Sequence, residues 1–305
     1  MRDPLVIHPP RPRHRLLWLL GAAALLANRL RRLVRPYNRP RDLPSRDLYR
    51  NVAYDLMVVD GWERALSNYV GEGASLADCT VAEIGPGPDL GTGVVMLWRG
   101  ARRYAAFDSS PLAQRTAPRF YQALLERLNY SDPSPEKTAM VQRELERLSA
   151  GRPERLEYLP GRGPEALAER GVNLVVSQAV LEHVEDLEGL LSVLSAVTTQ
   201  GALFVAEVDF QTHTRWLRNR DPLNIYRYSP WFYEVCRFAG SPARRRLDEY
   251  RRALQQTGWI DVRIFEQTVL SADYVERIRP HLAREFTAPD RRIEVLSATI
   301  CARRA

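Results

Sequence analysis

Lysine is almost absent from this chain of 305 residues: Lys137 is the only one, and arginine carries the rest of the positive charge. We read this as the coding bias of a GC-rich genome. Cysteine is scarce too. Cys79, Cys236 and Cys301 are odd in number, far apart and without metal-ligand spacing. That argues against a disulfide framework or thiolate metal centre and for a reducing compartment, the cytoplasm. Cys79 and Cys301 read as small apolar residues of strands. No apolar run reaches the roughly 20 residues of a membrane span; the run Leu16 to Ala27 has twelve. No internal repeat is present.

The formal charge of +7 invites a nucleic-acid reading, but the charge is local. Ten arginines against Asp3 and Asp42 give +8 in residues 1–42, which leaves −1 for the rest. A near-neutral body lacks the clustered cations that phosphate tracking needs, so nucleic acid is an unfavoured partner.

Residues 1–45 read as a basic, Pro-rich tail, and 46–305 as the folded domain. Within the tail, about 15–35 form a helix, apolar first and then amphipathic and arginine-rich. Arginines crowd the place where a signal-peptide cleavage site would lie. Two readings stay open: a helix on the inner face of an anionic membrane with Trp18 at the interface, or one packed on its own domain or a partner. The flanks "HPPRPR" and "RPYNRPRDLP" read as extended linkers.

From residue 46 a helical stretch leads to alternating signals. Strands are expected at 79–84, 103–107, 156–159, 172–177, 202–208, 259–268 and 294–302. Helices are expected near 91–99, 111–128, 164–170, 186–198, 244–257 and 273–285. Alternation with continuous apolar strands implies an α/β fold, a mostly parallel sheet covered on both faces. Residues 110–155 exceed one crossover and read as a helical insertion. Residues 209–243, rich in aromatics and arginine, follow the fifth strand. Ligands of open α/β sheets bind at the carboxyl ends of strands, so this excursion is the expected substrate cover.

"VAEIGPGPDLGTG" (81–93) resembles a dinucleotide loop, yet Leu90 stands where Gly-x-Gly-x-x-Gly needs its third glycine. Glu83 and Asp89 flank the turn, and neither lysine nor arginine lies within it. Such a loop repels a diphosphate and suits a ligand with a sulfonium and an ammonium. Gly85 and Gly87 still permit a sharp turn. Asp108, 21 residues after Gly87, ends the next strand, where a carboxylate can accept both ribose hydroxyls. These features fit S-adenosylmethionine better than NAD. Asp89 is open to a second reading, as the cap of the following helix.

With "YAAFDSS", "VNLVVSQAVLEHV", "GALFVAEVDF" and "IEVLSATICARR", the chain resembles the class I S-adenosylmethionine-dependent methyltransferases over about residues 50–303. The resemblance implies a Rossmann-like seven-stranded sheet, its last strand antiparallel and inserted between the fifth and sixth. It implies that Glu83, Gly85, Pro86 and Gly87 meet the methionine end of the cofactor, that Asp108 holds the ribose, and that Ser109 lies beside the adenosine. Ser177 and Gln178 would face the methyl group, while Glu182 and His183 would organise the turn. Two departures stand out: Asp89 replaces a frequent glycine, and "LEYLPGRGPEAL" lacks the acid that often contacts adenine.

The expected activity is methyl transfer, O-methylation above all, to a small-molecule or glycan acceptor. "DFQTH" is similar to a segment of bacterial methyltransferases of envelope-glycan or secondary-metabolite pathways. In it His213 is the candidate base and Asp209 its orienting partner; the alternative is a packed loop histidine. Trp216, Tyr226, Tyr228, Trp231, Phe232 and Tyr233 are a candidate acceptor platform or a sheet-edge cover. Arg215, Arg218, Arg220 and Arg227 are candidate anion holders or solvated surface. No metal site is read. The competing class is a membrane-tethered, catalytically inactive scaffold of the same fold.

Overall fold

The computed structural model describes residues 3–34, 47–71 and 73–305. Its centre is an eight-stranded sheet: β1 (Leu5–Ile7), β2 (Thr80–Ile84), β3 (Arg103–Asp108), β4 (Leu156–Pro160), β5 (Val172–Gln178), β6 (Thr198–Asp209), β7 (Trp259–Leu270) and β8 (Val295–Arg304). The order is β1-β7-β8-β6-β5-β2-β3-β4, with β8 antiparallel to both neighbours and every other pairing parallel. Seven of these strands match the expected set. The eighth, β1, corrects the strand count: three residues of a Pro-flanked stretch add to the edge at Thr268–Leu270. So short a strand carries no periodicity of its own.

The helices are α1 (His14–Val34), α2 (Leu48–Val70), α3 (Gly91–Trp98), α4 (Pro118–Ser131), α5 (Pro135–Ser149), α6 (Leu187–Val197), α7 (Arg215–Arg218), α8 (Pro230–Cys236), α9 (Leu247–Gln256) and α10 (Ala272–Ile278). One apolar core forms where α2 to α5 cover a sheet face, with Trp62, Phe120 and Val95 among its buried members. On the other face α6 and α9 pack with Leu191, Tyr250 and Trp259. The Trp259 indole donates to the Leu191 carbonyl at 3.1 Å, so its one polar atom is satisfied in the core.

A proline moves one expected boundary: the helix expected from 111 begins at Pro118, whose fixed φ suits a first turn and whose missing N–H costs nothing there. The helix expected at 164–170 is one tight turn, Pro164–Leu167, and the chain leaves it through Glu169, whose φ is 65°.

The amino-terminal helix α1 rests on the domain. Gly21 makes this possible: a Cβ there would stand 2.7 Å from Cγ of Asn224. Asn224 Nδ2 donates to the Leu17 carbonyl at 2.9 Å, and the Tyr228 hydroxyl donates to that of Trp18 at 2.9 Å. The opposite side of α1 leaves Leu19, Leu30, Leu33 and Val34 exposed. Among the described residues, no helix is long and apolar enough to cross a membrane.

Candidate active site

The chain order reverses between β2 and β5, which lie side by side. At such a point the loops leave in opposite directions and open a crevice at the carboxyl ends of the strands. Gly85 and Gly87 turn away from β2 with φ of 65° and 81°, in the left-handed region that favours glycine. Gly85 also admits the Val180 side chain, which a Cβ would approach to 2.9 Å. Its N–H donates to the Phe107 carbonyl at 2.9 Å, tying the loop to β3.

The position of the missing third glycine is now explained. Leu90 is buried in the core, and close packing of helix on strand is achieved one turn later. A Cβ on Gly93 would stand 2.6 Å from Cδ1 of Tyr104, which lies flat beneath α3. The close approach that a dinucleotide loop obtains at its third glycine is therefore made at Gly93.

Tyr104 also serves the site. Its hydroxyl and that of Thr92, the latter at 2.6 Å, both donate to Oε2 of fully buried Glu83. Burial still prevails over these two bonds and pushes the Glu83 carboxyl up to about 7. Just ahead of α3, whose N-cap Leu90 offers no side-chain bond, Asp89 accepts the Gly91 N–H at 2.9 Å and fixes the entry turn. It also faces Asp55 of α2, an acid without a motif to mark it. Both are buried and both are raised by burial; Asp89 and Glu83 push Asp55 further, well above the carboxylate range, whereas the Gly91 amide and Asp55 pull Asp89 back to about 6. Gly91 leaves room for Asp55, whose carboxyl would overlap any Cβ there.

Asp108, at the end of β3, accepts the Ser110 N–H at 2.9 Å. Burial raises it, while Ser110, exposed Ser109 and the Gly87 amide pull it back. Across the crevice, Ser177 is fully buried and its hydroxyl turns to the Ile84 carbonyl at 3.4 Å. Half-buried Gln178 interacts with Glu207 of β6 and so stands nearer the opening. Tyr54 lies in the combined field of Glu207, Asp55, Glu83 and Glu182, which with burial pushes its hydroxyl up to about 12. The described cleft is thus ringed by acids drawn from α2, β2, the loop, β3, β6 and the turn after β5.

The histidine region departs from expectation. Asp209 does not orient His213: its Oδ1 accepts the Gln211 N–H at 3.0 Å, and its Oδ2 accepts Arg218 at 2.6 Å. His213 Nδ1 meets the Gln211 carbonyl at 2.9 Å, and its Nε2 faces Glu182 Oε1 at 3.9 Å. The His183 ring stands edge-on to it, centroids 4.8 Å apart.

The aromatic platform is mostly core. Tyr226, Tyr228 and Tyr233 are buried, and only Trp216 and Trp231 are largely exposed, at 51% and 73%. Arg227 is not an anion holder either. It is buried against Asp221 at 2.7 Å, which Asn224 also joins at 2.9 Å, because a buried guanidinium is tolerable only when paired.

Among β2–β8, strand order and the single antiparallel member define the Rossmann-like fold of the class I methyltransferases. No protein-family model and no curated protein matches the sequence. Among solved structures, the chain is similar to an S-adenosylmethionine-dependent methyltransferase from Mesorhizobium loti, at 14% identity over 81% of this chain and 100% of that chain, with a TM-score of 0.43. It is similar to geranyl diphosphate C-methyltransferase from Streptomyces coelicolor A3(2), at 14% over 100% of this chain and 92% of that chain, TM-score 0.44. Phosphoethanolamine N-methyltransferase 2 of Haemonchus contortus is similar at 13% over 83% of this chain and 52% of that chain, TM-score 0.44. At such identities no residue role passes from these proteins to this chain.

Proposed function

We propose that the chain is an S-adenosylmethionine-dependent methyltransferase acting on a small-molecule or glycan hydroxyl. The observation that carries this reading is the set of buried, raised carboxyls around a glycine turn with no cation inside it. Acids kept from charging by burial regain their charge when a cationic ligand enters, so the site suits a sulfonium and an ammonium and resists a diphosphate. The cofactor, when bound, supplies a methyl group already activated by the sulfonium. In this reading Glu83 takes the ammonium, Gly85, Pro86 and Gly87 let the methionine end approach, Asp108 takes the ribose, and Ser109 lies beside the adenosine. Gln178 lies along the cofactor toward the acceptor; buried Ser177 supports the strand end from behind. Holding the two reactants in line supplies much of the rate. His213 is the group left on the acceptor side from the expected pair, since Asp209 is taken by Arg218.

Calorimetry with S-adenosylmethionine on the full chain tests the reading. Micromolar binding with release of a proton near pH 7 is expected. No heat at high micromolar ligand, in protein with a cooperative unfolding transition, refutes it. Transfer of labelled methyl into a cell extract would then identify the acceptor.

We also propose that α1 lies on an anionic membrane surface. Its side away from the domain combines exposed Leu19, Leu30, Leu33 and Val34 with an arginine-rich sequence.

A further inference from the structure

We propose that Glu182, His183 and His213 bind one divalent metal ion of the zinc, manganese or iron(II) kind, a ligand set of two imidazoles and one carboxylate. One ligand atom from each residue lies within 4.8 Å of the others. His213 Nε2 and Glu182 Oε1 are 3.9 Å apart. Ligands about 2.0–2.2 Å from a tetrahedral zinc sit roughly 3.3 Å from one another. A pair at the 4.8 Å limit has to close by about 1.5 Å, shared between two side chains, to reach that distance.

Independent features of the three residues point the same way. Glu182 is only 4% exposed, and neither carboxylate oxygen has a hydrogen-bond partner among the described residues. A buried carboxylate left unpaired is costly, and metal coordination is one of the few ways to satisfy it. The backbone amides of Glu182 and Asp209 lie near the carboxylate without meeting it at hydrogen-bonding geometry.

Each imidazole has one nitrogen occupied and one free. His213 Nδ1 is engaged by the Gln211 carbonyl, which turns the Nε2 lone pair toward Glu182. His183 is held through the Gly240 backbone, while its buried Nδ1 has no partner. Ligating histidines characteristically donate their other N–H to a carbonyl or carboxylate in this way.

The segments that carry the ligands are pinned. The turn Leu181–His183 follows Ala179, whose φ is 52° and whose N–H donates to the Glu207 carbonyl at 2.9 Å. The Glu182 carbonyl accepts the Ala243 N–H at 2.7 Å, and the Thr212 N–H donates to the Pro222 carbonyl at 2.7 Å. Thirty residues separate His183 from His213, so no sequence spacing marks the set. Three protein ligands leave open positions, and the site lies beside Glu207 and Asp209 on the acceptor side of the crevice. An acceptor oxygen reaching the ion would be oriented there, and His213 would act through the ion in place of serving as a free base. This placement rests on the methyltransferase reading; the ion site itself does not.

The test uses the full chain, stripped with a chelator and titrated with zinc by calorimetry and with cobalt(II) by visible absorption. One ion per chain is expected, with ligand-field bands of a nitrogen–oxygen site and a rise in the thermal midpoint. Glu182→Gln and His213→Ala should each weaken zinc binding by about 100-fold or more and abolish the cobalt bands. His213 is part-exposed, so its variant should fold even where the Glu182 variant does not. Absence of stoichiometric binding in the folded chain overturns the proposal. So does binding that persists unchanged in His213→Ala, which would place the ion elsewhere, such as at the stacked His14 and His281 rings. Because metal binding is read without cofactor, its failure and that of methyl transfer are separately visible.

Discussion

Replacing Glu83 with glutamine should make the ligand-free protein more stable at pH 8 while disabling cofactor binding. Glu83 is fully buried, and its carboxyl loses its proton at about 7 in the fold against an ordinary 4.5. The folded state therefore binds more protons than the unfolded chain between these values. The stability attached to the neutral carboxyl is complete below 4.5 and is lost as pH rises through 7. By linkage the loss is about 3 kcal/mol at pH 8, the largest that Glu83 alone can contribute. Glutamine keeps the acceptor oxygen for Thr92 and Tyr104 and removes the charge. A gain of about 1–3 kcal/mol follows, or a thermal midpoint several degrees higher at pH 8, shrinking toward nothing at pH 5. Thermal unfolding followed by circular dichroism from pH 5 to 8 measures it, with calorimetry for the cofactor. A Glu83→Gln protein that is less stable than wild type at pH 8, or whose advantage does not grow with pH, would refute the view that the site holds an acid against its solvation preference.

Asp108→Ala should weaken S-adenosylmethionine binding by about 100-fold, the loss of charge-assisted bonds to the ribose hydroxyls; an unchanged dissociation constant would show that the ribose lies elsewhere. Gly93→Ala must displace the Tyr104 ring, an overpacking cost of about 1–3 kcal/mol that the better helix propensity of alanine offsets by under about 1. Denaturant unfolding should show the net loss, and a stabilised variant would contradict the packing described. Gly21→Val should unseat α1 from Asn224 and Tyr228 and speed tryptic cleavage at Arg29 to Arg32, with equal rates counting against the docking. Leu30→Glu with Leu33→Glu, both at exposed positions, should reduce pelleting with anionic vesicles several-fold without altering stability; retention on vesicles would remove α1 as a membrane contact.

The mostly parallel sheet was legible because its strands are short apolar runs, those of β2, β3, β4 and β6 closed by glycine, proline or an acid, and such signals are local. So were the turn at Gly85 and Gly87, the acids at 83 and 89 beside it in the chain, and Asp108 at the end of the next strand. Asp89 was legible as a helix cap or a cofactor contact, and the structure shows it bonded to the Gly91 N–H at the entry of α3. Asp55 and Tyr54 could not be found, since they stand on a helix some 30 residues ahead of the loop and reach the crevice only when α2 packs against α3 and α4. Tyr104 reads as an ordinary strand residue until α3 lies on it. Of the two readings of Tyr226 and Tyr228, the cover fits their burial, and Arg227 is neither anion holder nor solvated surface, because the sequence of an excursion does not say which of its faces is covered. Asp209 and His213, four residues apart, suggested a pair that the backbone turn separates by offering each a nearer partner.

By itself, then, the sequence determined the order of strands and helices, the character of the glycine loop and the sign of charge around it, all of which depend on neighbours along the chain. Only the tertiary structure decided where a helix could press against Tyr104 and which acids share one crevice. It also decided that Glu182, His183 and His213 meet. Those outcomes depend on burial and on contacts between segments far apart in the chain, and burial sets both the proton affinity of a carboxyl and the need of an imidazole for a partner.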